Sequence, residues 1–78
     1  MNSSQLKQVK VAVSMYKTDP ERLKLLYMSG RLRLCYIAMF ILYLHYIQQR
    51  TFENIRSDYS WGSTEKLICD LFIDGDDE

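Results

Sequence analysis

Glycine and proline are scarce in this chain: three glycines (Gly30, Gly62, Gly75) and one proline, Pro20, in 78 residues. The glycines stand apart, so the sequence has no glycine-rich loop of the kind that cradles a phosphate or a dinucleotide. Histidine occurs once, and any histidine-dependent mechanism must rest on His45. That residue lies inside an apolar run with no G-x-S-x-G or other nucleophile signature, so it reads as a core histidine satisfied by a hydrogen bond. The two cysteines, Cys35 and Cys69, are far apart, and neither has a second cysteine two or three residues away to make a zinc or redox half-site. Both read as free, buried thiols packing as small hydrophobes. The first ten residues are polar and basic, with no apolar stretch to mark export into an oxidising compartment, so a cytoplasmic location is expected. The carboxylates Asp70, Asp74, Asp76, Asp77 and Glu78 lack the alternate-residue spacing and central glycine of a calcium loop. The sequence therefore predicts no catalytic residue, no metal site, no cofactor and no small-molecule substrate.

What is present is apolar surface. Hydrophobic residues make up 47% of the chain and charged residues 26%, a balance that predicts one folded unit over 1–73 and an acidic tail over 74–78. A chain this short buries only about 60 to 65% of its unfolded surface, so its core is marginal alone. Self-association is the supplement left open once disulfides and metals are set aside.

The periodicity predicts an all-α fold, a bundle of about four helices around a central apolar helix and completed by self-association. Leu6, Val9, Val13 and Tyr16 recur at helical spacing from Ser3 or Ser4 to Tyr16, although Val9, Val11, Val13 and Met15 also alternate as a strand would. Asp19-Pro20 is a helix start, with a carboxylate to cap the first turn and proline where it forfeits no hydrogen bond. Ser29-Gly30 closes that second helix, whose face is Leu23, Leu26 and Tyr27, widened by Leu25 and Met28. A third helix is expected from Arg31 to Arg50, and up to Ile55, because proline and glycine are both missing there. Thr51 to Ser63 has the composition of a loop, and a last helix starts at Ser63 or Thr64 with Leu67, Ile68, Leu71 and Phe72 as its stripe.

The segment Leu32 to Ile47 carries most of the argument. Its uninterrupted apolar part, 34–47, is 14 residues, about 21 Å as a helix, against a hydrocarbon core of about 30 Å. A buried helix is the preferred reading, and a membrane-associated segment 32–47 is an alternative. Projected at 100° per residue the segment has two faces, one with Leu34, Ile37, Ala38, Ile41, Leu44 and His45, the other with Tyr36, Met39, Phe40, Tyr43, Tyr46 and Ile47. The second is aromatic. Tyr36, Phe40, Tyr43 and Ile47 at i, i+4, i+7 and i+11 are the candidate homodimer or partner-binding face, since tyrosine suits surfaces that are apolar within and wet at the edge.

Charge is balanced overall and unbalanced along the chain. Residues 1–50 hold eight bases against two acids, +6, and residues 51–78 hold two bases against eight acids, −6. Neutralisation within the fold is the expected outcome. The cluster Lys7, Lys10, Lys17, Arg22, Lys24, Arg31 and Arg33 also leaves open a nucleic-acid-binding or acid-binding patch. A helix-turn-helix reader is unsuited to this sequence, because the third helix offers almost no polar group to a base edge. The leading expectation is a non-enzymatic interaction module, a regulator, adaptor or inhibitor working through the aromatic face.

Overall fold

The structure is a computed structural model that describes residues 1–74, so the tail residues 75–78 lie outside it. Five helices follow one another: α1 (Ser3–Thr18), α2 (Pro20–Met28), α3 (Tyr36–Tyr46), α4 (Phe52–Arg56) and α5 (Ser63–Asp74). Among the described residues there is no strand.

α1 starts at Ser3, within the expected Ser3 or Ser4, and its cap is the residue before the serines, Asn2. The Asn2 side chain accepts the Gln5 amide at 2.8 Å, and the Gln5 side chain accepts the Asn2 amide at 3.1 Å. This reciprocal cap satisfies two amides that would otherwise point at solvent. Val9, Ala12 and Val13 are buried while Val11 is exposed, which settles the 9–15 segment as helix: a strand would have put Val9, Val11 and Val13 on one side. α2 starts on Asp19, whose carboxylate accepts the Arg22 amide at 3.3 Å. It ends at Ser29, and Gly30 follows with φ +76°, a conformation glycine adopts without strain. Leu23 is fully buried, but Leu25 and Met28 are exposed and do not widen the core face.

The long third helix expected over 31–50 is a helix of 11 residues. Residues 31–35 are non-helical, with Leu32 and Leu34 half-buried and Arg31 and Arg33 exposed. An in-out alternation of period two suits extended backbone; wound as a helix, the same residues would carry an arginine toward the core. At the other end Gln49 takes φ +57°, and the Arg50 amide closes back on the Leu44 carbonyl at 3.1 Å. A left-handed residue is a common helix stop, made here by glutamine in place of glycine, and this closure reaches one residue further back than the usual one. His45 is half-buried and reinforces the turn through Nδ1, 2.8 Å from the Arg50 carbonyl. A carbonyl only accepts, so Nδ1 carries the proton.

The expected loop at 51–63 contains a helix of its own. Thr51 caps α4 by accepting the Asn54 amide at 3.0 Å, Glu53 sits in its first turn, and Phe52 and Ile55 are buried. Thr51-Phe-Glu is a start signal, and the polar residues around it disguised a two-residue core contact. Among the described residues there are thus five helices, not about four.

The hub also differs. α5 packs on α1, α3 and α4, and α1 packs on α2. The core holds Val9, Leu23, Ile41, Leu42, Ile55, Ile68 and Cys69, all fully buried. Burial pushes the Cys69 thiol up to about 11, with Asp70 adding to the shift, so it stays protonated and inert. Cys35 is only half-buried, with Sγ 4.0 Å from the Met1 sulfur.

Candidate interaction surface

α3 divides along its length as its sequence predicts. Ala38, Ile41, Leu42 and Leu44 are buried. Tyr36, Phe40, Tyr43 and Ile47 are 85%, 41%, 38% and 46% exposed, on the side of the helix that none of the other four covers fully. The other two aromatic-face residues, Met39 and Tyr46, are half-buried. No charged side chain lies between Tyr36 and Tyr46, so this exposed strip is uncharged along the whole helix.

Two residues from other elements extend the strip. Phe40 lies over Tyr43, centroids 6.3 Å apart and rings nearly parallel at 11°. Trp61, from the α4–α5 connection, meets the Phe40 ring edge-on at 5.8 Å. The indole is fixed from behind, because Nε1 donates to the Ile55 carbonyl at 2.6 Å. On the opposite flank Tyr27 of α2 packs against Tyr46 at 5.4 Å. Burial raises the Tyr27 pKa, and the Tyr43 phenol nearby raises it further. Tyr27, Tyr43, Phe40 and Trp61 thus form a belt across three elements. Neither Tyr27 nor Trp61 belonged to the sequence-derived face, since helical projection relates residues of one helix only.

A second aromatic group lies inward. His45, Phe52 and Phe72 form a column, with centroids 4.1 Å and 4.6 Å apart and near-parallel rings. Tyr16 of α1 stands edge-on to all three at 5.3 to 5.8 Å. Beside this column a cleft of about 320 Å³ is bordered by Tyr16, His45, Thr51 and Glu53. The Tyr16 pKa is raised, first by burial and then by Glu53. A phenol with a raised pKa is a weaker acid and stays protonated at neutral pH, and among the described residues the carboxylate that borders the cleft, Glu53, is exposed. Among the described residues no three His, Cys, Asp or Glu side chains are grouped closely enough to hold a metal ion.

Tyr46 joins the two aromatic groups, touching Tyr27 on one side and His45 at 4.8 Å on the other. Its hydroxyl is buried without a hydrogen-bond partner among the described residues. Burial, then Tyr16 and Glu21, push its pKa up to about 12.

The basic cluster is fully on the surface: Lys7, Lys10 and Lys17 on α1, Arg22 and Lys24 on α2, Arg31 and Arg33 in the extended segment are all exposed. Among the described residues the expected neutralisation inside the fold is not made by contact, and Asp76, Asp77 and Glu78 lie outside them. Among the described residues the one ion pair joins Arg56 to Asp70, both in the acidic half. Among the described residues no helix is long and apolar enough to cross a membrane. α3 falls short because its arginine-flanked N-terminal extension is not helical. Compared with protein families, curated proteins and solved structures, the chain matches none.

Proposed function

We propose that this chain is a non-enzymatic helical interaction module, a small regulator, adaptor or inhibitor, that forms a homodimer through the outer face of α3. The observation that carries the reading is the uncharged exposed strip Tyr36, Phe40, Tyr43 and Ile47, buttressed by Trp61 and Tyr27. Solvent-exposed apolar side chains occur singly on any protein; a contiguous set with pinned aromatic rings is what marks a binding face. Fixed rings also lose little rotamer freedom on docking, which lowers the entropic cost of association. An uncharged strip is self-complementary across a two-fold axis, because no like charges meet there. The unpaired thiols Cys35 and Cys69 fit a reducing, cytoplasmic setting.

The test is mass in solution across a concentration series, by light scattering. The wild type should run as a dimer and Tyr43→Glu as a monomer, since the substitution buries a charge at the centre of the contact. A monomeric wild type, or an unchanged mass for Tyr43→Glu, overturns the reading.

A second reading is favoured by one observation, the seven exposed cations that form no ion pair among the described residues. They fit a nucleic-acid backbone bound without sequence preference. Retention on duplex DNA or RNA that falls steeply with salt supports it, and no retention at low salt removes it.

A further inference from the structure

The aromatic belt ends in opposite charges, and that polarity dictates how a second copy seats on it. At the α2 end Glu21, near enough to raise the Tyr46 pKa, is outnumbered by two exposed cations: Lys24, one turn before Tyr27, and Arg31, just past the Gly30 turn with its amide on the Leu26 carbonyl at 2.9 Å. Neither forms an ion pair among the described residues. At the other end Trp61 is bracketed by two acids, which outnumber Arg50, the cation near enough to Asp58 to help lower its pKa. The Trp61 amide donates to the Asp58 carbonyl at 3.3 Å, and the Asp58 carboxylate is fixed by the Ser60 amide and hydroxyl at 3.2 and 2.9 Å. Glu65 lies in the first turn of the helix that Trp61 precedes. Its Oε1 lies 3.1 Å from the place where a side chain on Gly62 would start, so the carboxylate folds back against the residue next to Trp61. Between the cationic and anionic ends lie Tyr43 and Phe40 and no charge.

Resting on the homodimer reading, we propose that the two copies pair with their α3 helices antiparallel, so that Lys24 and Arg31 of each copy meet Asp58 and Glu65 of the other. A two-fold axis perpendicular to α3, passing between Phe40 and Tyr43, makes both contacts at once. A parallel pairing sets cation against cation and acid against acid. Antiparallel α3 helices also oppose their dipoles. The area argues the same way. The exposed parts of Tyr36, Phe40, Tyr43 and Ile47 amount to roughly 400 Å² at the usual size of such side chains, about half of what one partner contributes to a standard interface. The charged rims beside Tyr27 and Trp61 are the surfaces adjoining the strip that supply the rest. Rim charges of this kind set orientation and encounter rate more than affinity.

Complementary charge reversals test the orientation. Lys24→Glu alone and Glu65→Lys alone should each raise the homodimer Kd about three- to tenfold, because each sets like charges together at both ends. Mixed, the two variants should form a heterodimer in preference to either homodimer, with a Kd near that of the wild type, as both ends are then matched. Circular dichroism confirms that each variant is folded, and Arg31→Glu serves as a second cation variant. Wild-type affinity for both variants, or random mixing, overturns the antiparallel pairing while leaving the α3 face standing, provided Tyr43→Glu still dissociates. A monomeric wild type, or a dimer indifferent to Tyr43→Glu, overturns the face and the pairing with it.

Discussion

The protein holds two aromatic groups of similar size built on opposite sides of one helix, and they are finished differently. Inward, the His45–Phe52–Phe72 column is closed by Tyr16 edge-on to every ring. Outward, the Tyr27–Tyr43–Phe40–Trp61 belt has the same edge and face contacts but leaves half its members exposed. The inner group joins α1, α3, α4 and α5 and so holds the fold together. The outer group is ordered from beneath, by the Trp61 hydrogen bond and by Tyr27 on Tyr46, yet the described residues cover it only in part. Rings held in place without being fully buried contribute order more than stability, which fits the proposed docking surface.

That contrast breaks most visibly in the inner group. Phe72→Ala should lower unfolding free energy by about 3–5 kcal/mol, measured by urea denaturation. For a domain of this size that approaches the whole stability. A loss below about 1 kcal/mol would mean that the column is not what holds the four helices together.

Tyr46 sharpens the comparison because it belongs to both groups. Its folded pKa, pushed up to about 12, exceeds the unfolded value of about 10. The stability it contributes is therefore full below pH 10 and lost as pH rises toward 12. The buried Cys69 thiol, near 11 against an ordinary 9, acts in the same direction from pH 9 upward. Alkaline denaturation should accordingly start near pH 9 to 10. Tyr46→Phe removes a buried hydroxyl that has no partner, so it should stabilise the protein at pH 7 by about 1 kcal/mol and flatten the loss above pH 10. A destabilised Tyr46→Phe at pH 7 would show that the hydroxyl is satisfied in solution.

Smaller effects follow at the edges. Gln49→Gly should stabilise by about 0.5–1 kcal/mol, since glycine takes the φ +57° of that helix stop without strain; a loss of stability would argue that the Gln49 side chain holds the turn. Tyr36→Ser should change monomer stability by less than about 0.5 kcal/mol while weakening association. A large fall in melting temperature of the isolated monomer would place Tyr36 in the inner class.

Much of this was legible in the chain itself. The Asp19 cap gave α2 its start and Gly30 its end, Ser63 and Thr64 marked the start of α5 to within a residue without capping it, and helical projection separated Ala38, Ile41 and Leu44 from Phe40 and Tyr43. The misses have separate causes. Arg31-Leu-Arg-Leu was read for what it lacked, proline and glycine, when its alternation was the stronger signal for extended backbone. The stop at Gln49 uses a residue that seldom takes that conformation, so no composition rule announces it. α4 is five residues long and owes its place to Phe52 and Ile55 finding α5, a tertiary contact that local pattern cannot supply. Tyr27 and Trp61 joined the face by the same route, from 13 residues before Phe40 and 21 after it.

The pinned indole has one practical consequence. The chain contains a single tryptophan, and its ring borders the exposed strip rather than the core. Its emission is a native optical reporter of that edge: a partner settling on the strip would change the solvent around one identifiable fluorophore, and a dimer would dissociate on dilution with a matching spectral shift, all without a label.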